Sequence, residues 1–160
     1  LGRIPHRSGI CRDTEIAREA LQAVDAMHLE RRLFTKMSGG EKQRVQLARV
    51  MAQIWEPTST GAQFLVLDEP TSPLDLSHQV LVMELVSDFA QRGIGVIIVS
   101  HDLNLANRFA DHVIVFDKGS VVAAGTPDKI LSETLVSDVF GIDPYVIKHP
   151  ETGKNIVVNW

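Results

Sequence analysis

Phe64-Leu65-Val66-Leu67-Asp68-Glu69-Pro70-Thr71 is the stretch from which the rest of the chain is read. Its apolar residues run without a break and stop at two adjacent carboxylates and a proline. A short run that is apolar on both faces suits a central strand of a parallel sheet, covered by helices on either side. Carboxylates at the C-terminal end of such a strand stand where α/β sheets bind ligands. An aspartate there can hold Mg²⁺ beside a nucleotide's phosphates, directly or through water. A neighbouring glutamate can polarise an attacking water. Taken alone, Asp-Glu-Pro also fits an ordinary turn with a capping acid.

Working outward, Val96-Ile97-Ile98-Val99 gives a second buried strand, closed by Ser100-His101-Asp102. Between the two strands a helix is expected from about Asp75 to Gln91, with Val82, Leu85, Val86 and Phe89 at helical spacing and Gly93 after it. Upstream, residues 1–12 contain Gly2, Pro5 and Gly9 and read as loop, with a helix expected from an N-cap at Asp13. Ser38-Gly39-Gly40 precedes another helix carrying Val45, Leu47, Ala48, Met51 and Ile54, and a loop follows at residues 56–62. Downstream, Asp102 can cap a short helix towards Phe109. Strands are expected at residues 112–116 and 120–124, and Thr126-Pro127 is a good helix start. Residues 145–147 and 156–158 suit a small hairpin around Gly153. Strand, helix, strand, helix and a hairpin-like end argue for a three-layer α/β domain. It divides into a helical part at about 10–55, a core-sheet part at about 63–125, and C-terminal helices and hairpin at about 126–160.

Composition narrows the function classes. With 160 residues, 44% hydrophobic and 22% charged, the chain can bury one proper core. A net charge of −4 argues against a nucleic-acid partner, which would need a basic face. A single cysteine, Cys11, makes no internal disulfide and suits a reducing compartment. No apolar run approaches the ~20 residues of a membrane span, so any membrane link is expected to run through a partner. The sequence opens at Leu1 without an initiator Met or signal peptide, which reads as a fragment.

Three local signals occur in a fixed order. Ser38-Gly39-Gly40 opens a helix with no bulky side chain between a phosphate and the backbone N–H groups, as an anion site requires. Asp68 and Glu69 follow, and His101 ends the second strand, where it can reach a γ-phosphate. In this order Met37-Ser38-Gly39-Gly40-Glu41-Lys42-Gln43-Arg44 resembles the signature motif of ATP-binding-cassette ATPases. Residues 64–71 resemble their Walker B strand with its catalytic glutamate, Ser72-Pro73-Leu74-Asp75 their D-loop, and His101 their switch histidine. The resemblance covers nearly the whole chain.

The resemblance implies a P-loop NTPase-like domain and a head-to-tail dimer with a second copy, each ATP lying between one P-loop and the other subunit's signature. Ser38, Gly39, Gly40 and Glu41 would then line ATP held mainly by the partner. Asp68 would position Mg²⁺, Glu69 would activate water, His101 would contact the γ-phosphate, and Asp75 would link the two sites. Two residues depart from the usual pattern. Glu41 stands where glutamine is common, and its charge would repel phosphate unless it points away. Pro73 replaces an alanine, removes an N–H and restrains Ser72. A Gly-x₄-Gly-Lys-[Ser/Thr] phosphate loop is missing from the sequence: Gly153-Lys154 is followed by Asn155, and Lys148 stands where the first glycine is needed. The expectation is therefore an incomplete domain, without the N-terminal part that carries the Walker A motif and the Q-loop.

Within the family, Leu1-Gly2-Arg3-Ile4-Pro5-His6 resembles the stretch after the Q-loop in importers of haem, iron-siderophores and cobalamin. Haem importers share Gln46-Leu47-Ala48-Arg49-Val50, a longer loop like residues 56–62, and Leu74-Asp75-Leu76 before His78-Gln79. That resemblance implies an ATPase of haem import, peripheral on the cytoplasmic face of a bacterial inner membrane. Its partners would be transmembrane permease subunits and, indirectly, a periplasmic binding protein. The ATPase does not touch the cargo, so His6 and His78 are read as solvated or capping residues and not as haem ligands. Iron-siderophore or cobalamin import, a soluble cassette ATPase of translation or repair, and an inert remnant that only pairs with a partner cassette remain as alternatives.

Overall fold

Secondary structure follows the hydrophobic spacing closely in the computed structural model, which describes residues 10–57 and 61–158. Helix α1 spans Ile10–Ala23 and so begins ahead of the N-cap expected at Asp13. Asp13 lies in its first turn, where a carboxylate favours the helix dipole as well as a cap would, so the acid alone does not mark the start. Ile16, Ala20 and Val24 are buried along one stripe. Helix α2, Gly39–Met51, starts at the Ser38 cap and buries Leu47, Ala48 and Met51.

Strand β1 (Phe64–Asp68) lies parallel to β2 (Gly95–Val99), with Leu65 opposite Val96 and Leu67 opposite Ile98. Helix α3 (Leu76–Gln91) connects them, as a parallel pair requires. Leu65 and Leu67 are buried and share a core with Val82, Val86 and Phe89 of α3, with Ala20 of α1 and Val24 just after it, and with Leu47 and Met51 of α2. The opposite face is open: Phe64 is 66%, Val66 64%, Ile97 57% and Val99 53% exposed. Burial of β1 on both faces, expected from its sequence, therefore holds on one face only. Apolar residues on both sides of a strand announce two covering layers, and the described residues place one, the layer on Leu65 and Leu67.

Trp55 locks the segment after α2. Its ring meets Phe89 edge-on with centroids 5.7 Å apart, and its Nε1–H donates to Glu19 at 2.7 Å. Arg12 donates to Glu19 at 2.8 Å and to Glu56 at 2.7 Å, which raises the guanidinium's already high pKa further.

The chain divides into two units, Leu1–Val99 and Ser100–Trp160. In the second, helix α4 (Leu103–Phe109) is capped by Asp102, and strands β3 (Val113–Asp117) and β4 (Ser120–Gly125) form an antiparallel hairpin. Helix α5 (Pro127–Ile130) has the expected proline at its start, and α6 (Glu133–Phe140) ends at Gly141 in the left-handed conformation. Strands β5 (Tyr145–Lys148) and β6 (Asn155–Val158) make the terminal hairpin. The Asn104 amide pairs with the Val157 backbone through two hydrogen bonds, 2.8 and 3.0 Å long, tying α4 to β6. Leu1–His6, the stretch that pointed to a particular importer group, lies outside the described residues.

Candidate functional site

The start of α2 is built by its own sequence. Ser38 has extended backbone (φ −65°, ψ 170°), and its Oγ accepts from the Glu41 N–H. Glu41 Oε2 in turn accepts from the Ser38 N–H at 2.6 Å, while Oε1 accepts from Arg32 at 2.8 Å. This is a reciprocal capping box. The Ser38 N–H, followed by the Ser38 side chain and the Arg32 charge, holds the Glu41 carboxyl below the ordinary range. Glu41 is thus turned back onto the cap with its charge paired to Arg32, the second of the two orientations that the sequence left open. The Ser-x-x-Glu spacing before an apolar run was the available signal.

The two signature glycines differ in their surroundings. A Cβ on Gly39 would meet nothing within 4 Å, so the approach to that backbone is open. A Cβ on Gly40 would lie 3.2 Å from the Pro73 carbonyl oxygen, so the helix start packs directly against the loop after β1.

That loop begins at the paired acids. Asp68 closes β1 and is exposed; Glu69 is half-buried. Glu69 adopts φ 45°, a left-handed conformation that a non-glycine residue takes only where its surroundings hold it. Its N–H donates to the Val99 carbonyl at 2.9 Å, one bond beyond the strand pairing. The following carbonyls are claimed by side chains from both flanking helices. Gln43 of α2 donates to Pro70 O at 3.1 Å, and Gln79 of α3 donates to Leu74 O at 3.1 Å and to Thr71 O at 3.3 Å. Asp75 caps α3, its Oδ1 accepting from the His78 N–H at 3.0 Å and from the Ser77 hydroxyl at 2.7 Å. These donors, with the His78 ring, hold the Asp75 carboxyl far below the ordinary carboxylate range. Ser38, Gly39, Gly40, Glu41, Asp68, Glu69 and Asp75 thus all belong to the first unit, with the signature turn bonded to the loop that carries the acids.

His101 belongs to the second unit, where it lines a cleft of about 300 Å³ together with Asp102, Asn104, Phe140, Ile142 and Val157. Asp102 accepts from the N–H groups of Asn104 and Leu105, both at 2.9 Å, which fixes the turn that carries His101. Among the described residues, no group of three or more His, Cys, Asp or Glu is placed to hold a metal by itself. Mg²⁺ beside a nucleotide needs only one or two protein carboxylates, with phosphate oxygens and water completing its shell, so an exposed Asp68 at a strand end fits that part. No helix among the described residues is long and apolar enough to cross a membrane.

Comparison with known proteins bears on the family and the fold. Residues 6–72 match the ABC transporter family. The hemin import ATP-binding protein of Pseudomonas entomophila is 48% identical over 158 residues, 99% of this chain and 61% of that protein. Its namesake in Gloeobacter violaceus is 45% identical over 160 residues, 99% of this chain and 58% of the relative. This chain therefore spans about three fifths of the length of these relatives. Among solved structures, a metal-chelate type ABC transporter in an inward-facing conformation superposes with TM-score 0.74 at 26% identity, over 98% of this chain and 60% of that one. A dimeric bacterial ABC transporter cassette gives TM-score 0.64 at 28% identity, over 78% and 51% of the two chains. On this sequence and fold evidence, residues 6–72 carry part of the ABC transporter family's domain, and nearly the whole chain is similar to ATP-binding proteins of that family.

Proposed function

We propose that the protein containing this sequence is the ATP-hydrolysing subunit of an importer whose cargo is haem. The observation that carries the cargo is the 48% identity to a hemin import ATP-binding protein along 99% of this chain. The observation that supports hydrolysis is that the signature turn packs on the acid-bearing loop, with Gly40 close against the Pro73 carbonyl and Gln43 hydrogen-bonded to Pro70.

In this reading the N–H groups of Gly39 and Gly40, first-turn donors with no intrahelical acceptor, face the phosphates of ATP seated on a second copy. Bound MgATP supplies the phosphoanhydride bond and the charge neutralisation. Asp68 is the carboxylate that holds Mg²⁺, Glu69 takes the proton of the attacking water, His101 meets the γ-phosphate and Asp75 sits between the two sites. The working unit is a head-to-tail pair docked on transmembrane permease subunits, peripheral on the cytoplasmic face and served by a periplasmic binding protein. Deleting the parent gene should abolish growth on haem as sole iron source and spare cobalamin uptake. The reverse pattern would contradict the haem reading. A second reading, import of another metal chelate, is favoured by the likeness to the metal-chelate type transporter. Siderophore-dependent growth of the same deletion strain separates the two.

A further inference from the structure

The sequence gives His78 no task beyond solvation or capping, yet the fold places it between the D-loop and a buried cation. Arg44, on the second turn of the signature helix α2, is 8% exposed. Its Nη1 donates to the Asp25 carbonyl, with the Val24 carbonyl 3.4 Å and the Asp25 carboxylate 3.3 Å away. Asp25 stands at φ 52°, a left-handed turn after α1 that brings its carbonyl and its carboxylate to the same guanidinium. The His78 ring completes the cluster. Its Nε2 is 2.9 Å from Arg44 Nη1 and 3.4 Å from Asp25 Oδ2, and its Nδ1 is 2.8 Å from Asp75 Oδ1.

The chemistry fixes how the ring is protonated in this arrangement. A guanidinium has donors and no acceptor, so at 2.9 Å the imidazole Nε2 is the acceptor. The ring proton is then on Nδ1 and is donated to Asp75 Oδ1. Two hydrogen bonds in line therefore run from Arg44 through the imidazole to the D-loop aspartate. They join α2 to the N-terminus of α3 across 34 residues of sequence between Arg44 and His78.

We infer that His78 is a positioning residue: as the neutral Nδ1–H imidazole held between Arg44 and Asp75, it fixes the D-loop relative to the signature helix. The inference rests on the ATPase reading above. His78 does not reach the nucleotide and acts through Asp75.

The test uses the full-length cassette carrying this sequence. Nitrogen-15 NMR of the histidine rings in the wild-type protein at neutral pH should show His78 as the Nδ1–H tautomer; an Nε2–H tautomer would overturn the inference. In steady-state ATPase assays His78→Ala should lower kcat about tenfold while KM for ATP stays within about twofold, because the interaction acts on the assembled state. His78→Asn keeps an N–H near Asp75 and loses the reach to Arg44, so its kcat should stay low. Wild-type kcat in either variant, with turnover still dependent on Glu69, would overturn this inference and leave the ATPase reading standing. A wild-type cassette that does not hydrolyse ATP would overturn that reading and the inference with it.

Discussion

Gly40→Ala, set against Gly39→Ala, probes whether the signature helix really rests on the loop that follows β1. At Gly40 the new Cβ would meet the Pro73 carbonyl oxygen at 3.2 Å and Leu74 Cδ2 at 3.8 Å, while at Gly39 it would meet nothing within 4 Å. The Pro73 carbonyl has little freedom to retreat. Gln43 holds Pro70 on one side, and Gln79 holds Thr71 and Leu74 on the other. Relieving such a contact costs about 1–3 kcal/mol, against a gain of up to about 1 kcal/mol for alanine over glycine in a helix. The net for Gly40→Ala is a loss of about 1 kcal/mol. Gly39→Ala should gain about 0.5 kcal/mol by restricting the unfolded chain. The difference of about 1.5 kcal/mol corresponds to about 3–6 °C in Tm for a protein of this size. Thermal melts of the paired variants in the same protein, followed by far-ultraviolet circular dichroism, provide the comparison. Equal melting temperatures, or a more stable Gly40→Ala, would refute the packing of signature against D-loop.

Three further outcomes follow from the same structure. Asp75 is held below its ordinary pKa, so the folded state binds fewer protons there than the unfolded state; its contribution is complete above about pH 4 and fades as pH falls towards the lower folded value. Asp75→Asn should therefore flatten the acid limb of stability measured by urea titration at several pH values, and an unchanged limb would count against the cap. Phe89 is fully buried against Trp55, so Phe89→Ala should cost about 3–5 kcal/mol in urea unfolding followed by tryptophan fluorescence. The 160-residue chain by itself should neither hydrolyse ATP nor bind it usefully, because it contains no Gly-x₄-Gly-Lys phosphate loop. Titration calorimetry showing roughly micromolar Kd would contradict that.

What the sequence made legible was whatever depends on neighbours in the chain. The Ser38 cap, the abrupt end of β1 at Asp68 and the strand after Gly93 each rest on a few adjacent residues, and each stands where expected. For Glu41 the sequence left two orientations open, because its partners include Arg32 as well as the local Ser38 N–H, and the side chain is turned back onto both. The open face of Phe64, Val66, Ile97 and Val99 could not be foreseen from an apolar pattern, which records that a face is to be covered but not what covers it. His78 was least legible of all. Its partners Arg44 and Asp25 meet it only through the packing of three helices, and a lone histidine near a helix start has no local signature that separates a solvated ring from a bridging one.

That Glu69 takes the proton of the attacking water is tested most directly by Glu69→Gln in the full-length cassette assembled with its permease. The amide keeps the size of the side chain and loses the base, so the loss should fall on the chemical step alone. Turnover should drop by at least about 100-fold while ATP remains bound to the paired cassettes. A glutamine variant that hydrolyses ATP at the wild-type rate would contradict the assignment of Glu69 as the base.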